Sequence, residues 1–279
     1  MSGNEKIRAD QYLVQQGLAQ SREKAQAMIM AGMVYQDQQK ITKPSFQVKA
    51  GTELTVRGEK SRYVSRGALK LEKGLRVFGV SAEGRTAMDV GASTGGFTDV
   101  LLQNGAKQVF AIDVGYGQLD WKLRNDPRVL VMERVNARFL KREDLPAVPS
   151  LAVMDVSFIS ITKILPVLAE ILDEDGEIIT LIKPQFEAGR EKVGKKGVVR
   201  EAAVHEEVIS NILSFVQREM GWFAKALSYS PIRGPEGNIE FLLHIISKEN
   251  GTGVEAGRVK DVVKEAHQAL SGEETGTVL

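Results

Sequence analysis

Cysteine is absent from this 279-residue chain, and histidine nearly so, with only His205, His244 and His267. The first absence excludes disulfides and thiolate chemistry. The second, with three scattered imidazoles and no ligand spacing, argues against zinc, so no metal is expected. Long apolar runs are missing too: no stretch approaches the ~18 to 20 residues of a membrane helix. The first ten residues carry Glu5, Lys6, Arg8 and Asp10 where a secretory leader needs an apolar core. The expectation is a cytoplasmic protein with no membrane contact. A large net charge is also lacking, at +1, yet residues 1–66 hold 11 Lys/Arg against 6 Asp/Glu while the remainder holds 26 against 30. A small basic front on a nearly neutral body suits a reader of polyanions, although ordinary solvated charge would give the same numbers. With 43% hydrophobic residues, the chain can bury one ordinary core and a smaller one.

What is present is organised around Ala87 to Asp99. Thr86 to Val90 reads as an apolar strand, Gly91, Gly95 and Gly96 as a glycine-rich turn, and Phe97 to Gln103 as a helix with Phe97, Val100 and Leu101 on one face. The pattern Asp-x-Gly-x-x-x-Gly-Gly lacks the tight Gly-x-Gly-x-x-Gly of dinucleotide enzymes, so an adenosyl group without phosphates fits better than a pyrophosphate. Glycine there is expected to let a ligand touch the main chain. The cofactor-binding candidates of this stretch are Asp89, Gly91, Ala92, Ser93, Gly95, Gly96, Phe97 and Thr98.

Before this stretch, Ile7 to Gly17 is near helical spacing, and Ser21 caps a second helix that Gly32 terminates. Met33 to Tyr35 and Glu53 to Val56 look like short strands. Arg8-Ala-Asp10, Leu13, Gly17, Ser21-Arg22, Ala25, Ile29, Gly32 and Val34 resemble the small RNA-binding domain named after ribosomal protein S-four. The resemblance implies an α+β module over residues 1–60 whose Arg8, Arg22 and Lys24 face RNA phosphates; solvated helix charges are the plainer reading. Residues 61–66 read as a linker, and the bases Arg57, Lys60, Arg62 and Arg66 around it could continue an RNA track. In the following helix, Gly67 to Phe78, Lys70 lies off the apolar stripe, and spacing alone makes it a solvated lysine.

From Thr86, apolar runs alternate with helical patterns. Strands are expected at Thr86 to Val90, Gln108 to Asp113, Val129 to Met132, Leu151 to Val156 and Glu177 to Ile182, followed by a helix from His205 to Met220. Trp222 to Ser230 and Ile239 to Ile246 then form a terminal hairpin, Val254 to Leu270 a last helix, and the tail after Gly272 is expected to fray. Five parallel strands closed by an antiparallel pair, with helices on both faces, resemble the Rossmann-like class I methyltransferase fold. Ligands of such sheets sit at the carboxyl ends of the strands. Asp113, 22 residues beyond Gly91, suits ribose hydroxyls, although a helix cap is the alternative; Asn136 suits an adenine edge. Asp155 and Lys183 end neighbouring strands and face the cleft or form a structural ion pair. Glu240, near the start of an antiparallel strand, reaches the same edge.

Tyr63-Val-Ser-Arg-Gly-Ala-Leu-Lys70, Asp89 to Thr98, Asp113-Val-Gly-Tyr-Gly-Gln-Leu119, Asp155-Val-Ser-Phe-Ile-Ser160, Lys183-Pro-Gln-Phe-Glu187 and Gly234-Pro-Glu-Gly-Asn-Ile-Glu240 together resemble the TlyA family, hemolysin-named proteins joining the RNA-binding module to an FtsJ-like methyltransferase domain. The resemblance covers nearly the whole chain and implies a second domain over 67–279, S-adenosylmethionine as cofactor, and 2′-O-methylation of ribose, of cytidine, in ribosomal RNA or ribosomal subunits. It assigns a catalytic tetrad to Lys70, Asp155, Lys183 and Glu240, with Asp155 also at the methyl donor. In that assignment Lys183 takes or steers the hydroxyl proton, Asp155 positions it, and Lys70 with Glu240 orients the ribose. A free lysine, with pKa about 10.4, is a poor base; burial and a neighbouring cation push a lysine towards neutrality, and carboxylates push back.

Gly189 to Arg200 carries five bases against one acid, Glu191. Arg190, Lys192, Lys195 and Lys196 therefore read as a clamp on RNA phosphates, or as a solubility feature. Base N-methylation is disfavoured because Asp155 is followed by Val-Ser-Phe and not by Pro-Pro-aromatic. A noncatalytic RNA-binding or assembly protein and a membrane-lytic protein remain as readings from other classes.

Overall fold

The computed structural model describes residues 6–37, 39–56, 62–248 and 253–271; Arg57 and Lys60 of the expected basic track, Ser61 of the linker and the tail from Gly272 lie outside the described residues. Contacts divide the chain into two units, Met1–Arg62 and Tyr63–Leu279.

The first unit runs β1 (Lys6–Arg8), α1 (Ala9–Gln15), α2 (Arg22–Met30), β2 (Val34–Gln36), β3 (Gln39–Lys40), β4 (Gln47–Lys49) and β5 (Leu54–Val56). The Ser21 hydroxyl accepts the Lys24 N–H at 3.2 Å and so caps α2. Leu13, Ile29 and Val48 are fully buried at the centre of a small core. Ile7 does not begin the first helix, as its spacing suggests, but sits in β1, paired antiparallel with Val48. The helix starts only at Ala9, whose N–H is taken by the carbonyl of Phe46. Three residues are too few to show a period of two, and the partner strand lies about forty residues away.

The second unit continues with α3 (Ala68–Phe78), β6 (Thr86–Val90), α4 (Gly96–Gln103), β7 (Gln108–Asp113), α5 (Trp121–Arg124), β8 (Val129–Glu133), β9 (Leu151–Met154), α6 (Leu165–Ile171), β10 (Glu177–Ile182), α7 (Pro184–Glu187), α8 (Ala202–Arg218), β11 (Phe223–Tyr229), β12 (Phe241–Ile246) and α9 (Ala256–Leu270). One seven-stranded sheet has the order β11-β12-β10-β9-β6-β7-β8. Its five central and distal strands are parallel, and β12 runs antiparallel to both β10 and β11, giving the expected methyltransferase-like sheet. The inner strands β6, β9 and β10 are apolar almost throughout because both faces are covered. Alternate side chains divide between two cores. Met88, Phe110, Met154 and Ile178 pack with α6, α8 and α9, while Ala87, Val109, Val153 and Ile179 pack with α3 and α4.

Two topological facts place the site. The chain leaves β6 towards β7 on one side and later fills the other side with β9, so a crevice opens where the strand order reverses. The antiparallel register sets Phe241 opposite Ile182, so Glu240, just before β12, arrives beside Lys183, just after β10. Among the described residues no helix is long and apolar enough to cross a membrane.

Phe110 is fully buried between β6 and β8. Phe110→Ala is expected to destabilise the second unit by about 3 to 5 kcal/mol, measured as a lowered urea midpoint at unchanged slope.

Candidate active site

At the carboxyl edge of the sheet four charged side chains form one chain of contacts. Lys70 Nζ lies 2.7 Å from Glu240 Oε2 and 3.1 Å from Asp155 Oδ2; Asp155 Oδ1 lies 2.5 Å from Lys183 Nζ. Lys183 also donates to the Ser157 hydroxyl at 3.0 Å. Lys70, far from being solvated, is only 6% exposed. It occupies the first turn of α3, where Ala68 and Leu71 bury that end of the helix, and its stem turns towards the carboxylates. A lysine off the apolar stripe can still be buried when an opposite charge waits at the strand ends.

The electrostatics separate the four groups. Burial raises the Asp155 carboxyl, but the ammonium groups of Lys183 and Lys70 outweigh it, leaving Asp155 below its ordinary value and ionised. Burial likewise works against a charged Lys70, and Asp155 and Glu240 outweigh it, so Lys70 is held as an ammonium. Glu240 moves the other way: burial, aided by the charge of Asp155, exceeds the pull of Lys70 and Lys183 and raises it. Lys70 is thus fixed in its protonated form between two carboxylates, while Lys183 touches one carboxylate and a neutral hydroxyl.

Two adjoining cavities meet at this chain. One, of about 510 Å³, is walled by apolar residues such as Val90, Ile112, Val135 and Ile164, with Ser93, Asp113, Asn136 and Asp155 supplying polar groups. The other, of about 230 Å³, is lined by Lys70, Lys183, Gly96, Phe97 and Pro235, and shares Gly91, Ser93, Asp155 and Ser157 with the first. Ala92 also lines the smaller one. Asp113 accepts the Ser93 N–H and the Gly115 N–H, both at 2.7 Å, which fixes its carboxylate at the end of β7 while each oxygen keeps a second lone pair for a ligand. Asn136 caps a short 3-10 turn by accepting the Arg138 N–H at 3.1 Å.

Asp89, Gly95 and Thr98 stand behind the cavity walls. Asp89 accepts the backbone N–H and hydroxyl of Thr98 through Oδ2, and its Oδ1 is buried without a partner. A Cβ at Gly91 would come within 2.6 Å of the Asp155 carbonyl, and one at Gly95 within 2.3 Å of Leu123, both at positive φ. At both positions the protein's own strands and helices close on the space a side chain would fill, and Gly91 also lines both cavities.

Of the expected RNA contacts, Arg8 and Arg22 both grip Asp10, at 2.9 and 3.0 Å, and the Lys24 ammonium donates to Gln20. Arg66 approaches the carbonyl of Arg233 at 3.5 Å. Lys192, Lys195 and Lys196 line a separate cavity of about 550 Å³ together with Arg200, and Lys192 pairs with Glu207 at 2.5 Å. Arg190 opens the adjacent short turn. Ser157 escaped the sequence reading: it lies inside a quoted stretch, but nothing in the order of residues says that its hydroxyl reaches Lys183.

The residues fit an adenosylmethionine-type ligand. The larger cavity is mainly apolar, carries the carboxylates of Asp113 and Asp155 and the amides of Gln118 and Asn136, and has no Lys or Arg in its lining that phosphates would require.

Burial pushes the Asp89 carboxyl from 3.8 up to about 7, against the Thr98 hydrogen bonds and with the charges of Asp155 and Asp113 adding to the rise. A carboxyl raised on folding lends stability below its unfolded pKa and loses it as pH rises through the folded one. The stability of Asp89→Asn relative to the parent protein, from urea unfolding without cofactor, should therefore improve between about pH 4 and pH 7, by up to about 1.4 kcal/mol per pH unit. A pH-independent difference would show that Asp89 does not titrate there.

Comparison with known proteins finds matches to both units of the chain. The profile of FtsJ-like methyltransferases matches residues 63–246, and that of the S4 domain matches residues 7–54. A Bacillus subtilis protein provisionally named an rRNA methyltransferase is 50% identical over 271 residues, 96% of each chain. The 16S/23S rRNA (cytidine-2′-O)-methyltransferase TlyA of Mycobacterium tuberculosis is 43% identical over 267 residues, 95% of this chain and 98% of that one. A solved structure from Streptococcus thermophilus that carries the hemolysin name has 48% identity and a TM-score of 0.77, covering 96% of this chain and 98% of its own. An S4 domain followed by an FtsJ-like methyltransferase domain, matched over nearly its full length, makes this chain a member of the TlyA family.

Proposed function

We propose that this protein methylates the 2′-hydroxyl of a ribose, of cytidine, in ribosomal RNA, with S-adenosylmethionine as donor. The observation that carries the reading is the contact chain Glu240, Lys70, Asp155, Lys183, of which the last three line the smaller cavity, adjoining an apolar cleft suited to an adenosyl group. The cytidine and the ribosomal RNA come from the name of the Mycobacterium tuberculosis relative. With a ribosomal substrate, the cytoplasm is where the protein acts.

In this reading Asp113 and Asn136 hold the adenosine end of the cofactor, and Ser93 and Asp155 lie where its methionine end meets the smaller cavity. When bound, S-adenosylmethionine supplies a methyl group already activated on a sulfonium. The residues of this chain must then orient the acceptor hydroxyl and give its proton somewhere to go. Lys70, kept as an ammonium by Asp155 and Glu240, can donate a hydrogen bond to the ribose but cannot take its proton. Lys183 steers or takes that proton, and Asp155 holds Lys183 in place. Phe158, 90% exposed on a left-handed backbone with φ 64°, lines the larger cavity and lies 5.2 Å from the Phe186 ring, an open aromatic face on which an extruded base can stack.

Two sets of bases suit the phosphates. In the first unit the buried Asp10 binds Arg8 through two hydrogen bonds and also accepts from Arg22 and Gln26. The Arg8 contact, with those of Gln26 and Arg22, outweighs burial and holds Asp10 far below its ordinary value, so the pairing persists at all physiological pH. The side chains of Arg8 and Arg22 remain partly exposed, at 36% and 49%, with guanidinium donors left for an anion. In the second unit Lys192, Lys195 and Lys196 follow the Lys183 strand on a glycine-rich loop.

Incubation with labelled methyl donor and ribosomal particles, followed by mapping of ribose methylation, tests the reading; intact cofactor binding without transfer to any ribosomal substrate would favour an RNA-binding role alone. Lys183→Ala should abolish transfer while still binding cofactor, and full activity in that variant would remove Lys183 from the chemistry. Arg22→Ala should weaken RNA binding and lower the slope of log affinity against log salt by about one. An unchanged slope would mean that Arg22 touches no phosphate.

A further inference from the structure

We infer that Ser157 is an additional positioning residue of the transfer site, its hydroxyl holding the Lys183 ammonium at the wall shared by the two cavities. This role rests on the methyl-transfer reading above. Lys183 Nζ is bound by Asp155 Oδ1 at 2.5 Å and by Ser157 Oγ at 3.0 Å, with no other side-chain partner among the described residues. A single acceptor would leave the four-carbon stem free to pivot about it, and the second removes that freedom. With two positions on Nζ committed, the third is left for the acceptor oxygen of the substrate.

The place of Ser157 suits this task. Lys183 is 8% exposed, whereas Ser157 is exposed and lines both the cofactor-sized cleft and the smaller cavity. The backbone turns left-handed at the next residue, Phe158, which bends the chain away just after the hydroxyl has been delivered.

Its chemistry suits it too. Two lysines and two carboxylates already balance in this cluster. A third carboxylate at position 157 would hold the proton on Lys183 more firmly and oppose its transfer. An alkyl group would leave one ammonium hydrogen facing the cavity wall without an acceptor. A hydroxyl orients the nitrogen without adding charge, and it accepts an N–H from the ammonium and from the free amine alike, so the third position on Nζ stays turned to the substrate before and after proton movement.

The test compares wild type, Ser157→Ala and Ser157→Thr in steady-state methylation of ribosomal particles, with cofactor affinity by calorimetry and thermal midpoints measured alongside. Ser157→Ala should lower kcat on the order of 10- to 100-fold. Its cofactor affinity, KM for cofactor and thermal midpoint should stay at wild-type values, and Ser157→Thr, which keeps the hydroxyl, should restore most of the loss. Wild-type turnover in Ser157→Ala overturns the positioning role. So does a loss that Thr fails to rescue and that follows weakened cofactor binding, because the residue would then only shape the loop. If wild type itself transfers no methyl group, the functional reading falls, and this role falls with it.

Discussion

The Asp155 carboxylate, shared between two lysines, is the contact on which the arrangement depends. One oxygen meets Lys70 and the other Lys183, so a single group joins α3 to the end of β10 and fixes both ammonium groups in the same cavity. It remains charged despite burial because the two cations together exceed the desolvation penalty. Glu240, with one cation in contact and the Asp155 charge nearby, is raised. The two carboxylates of the contact chain are therefore displaced in opposite directions by their order in it.

That order follows from the sheet. Parallel strands place Asp155 and Lys183 at one edge because both follow strand ends; an antiparallel last strand brings the residue before its start to the same edge. A parallel final strand would have left Glu240 at the opposite end of the sheet. The reversal of strand order between β6 and β9 opens the cleft in which Asp113 and Asn136 stand beside the same carboxylate. Gly91 permits the closeness of these two strand ends, since any side chain there would strike the Asp155 carbonyl.

The first unit uses the same device for another purpose. Its buried Asp10 organises Arg8 and Arg22 at the surface, as Asp155 organises two lysines in a cavity. In the first case the cations stay partly in water, where the proposed phosphate contacts would replace a share of their solvation. In the second they are nearly dry, and carboxylates rather than water meet their charge.

By itself the sequence determined the sheet, its closing hairpin and the glycine turn, because runs of Val, Ile, Leu and Met at strand length and helical stripes such as Leu71 and Leu75 are local signals. It also placed Asp113, Asp155 and Lys183 at strand ends, since a charge that closes an apolar run has few other places to go. Lys70 was not legible from spacing: its burial depends on carboxylates 85 and 170 residues away, which local periodicity does not register. Tertiary structure alone decided the β1–β4 pair around Ile7, the packing reason for Gly91 and Gly95, and the reach of the Ser157 hydroxyl to Lys183. Each is a contact between segments distant in the chain, fixed by how the strands align and not by the residues on either side.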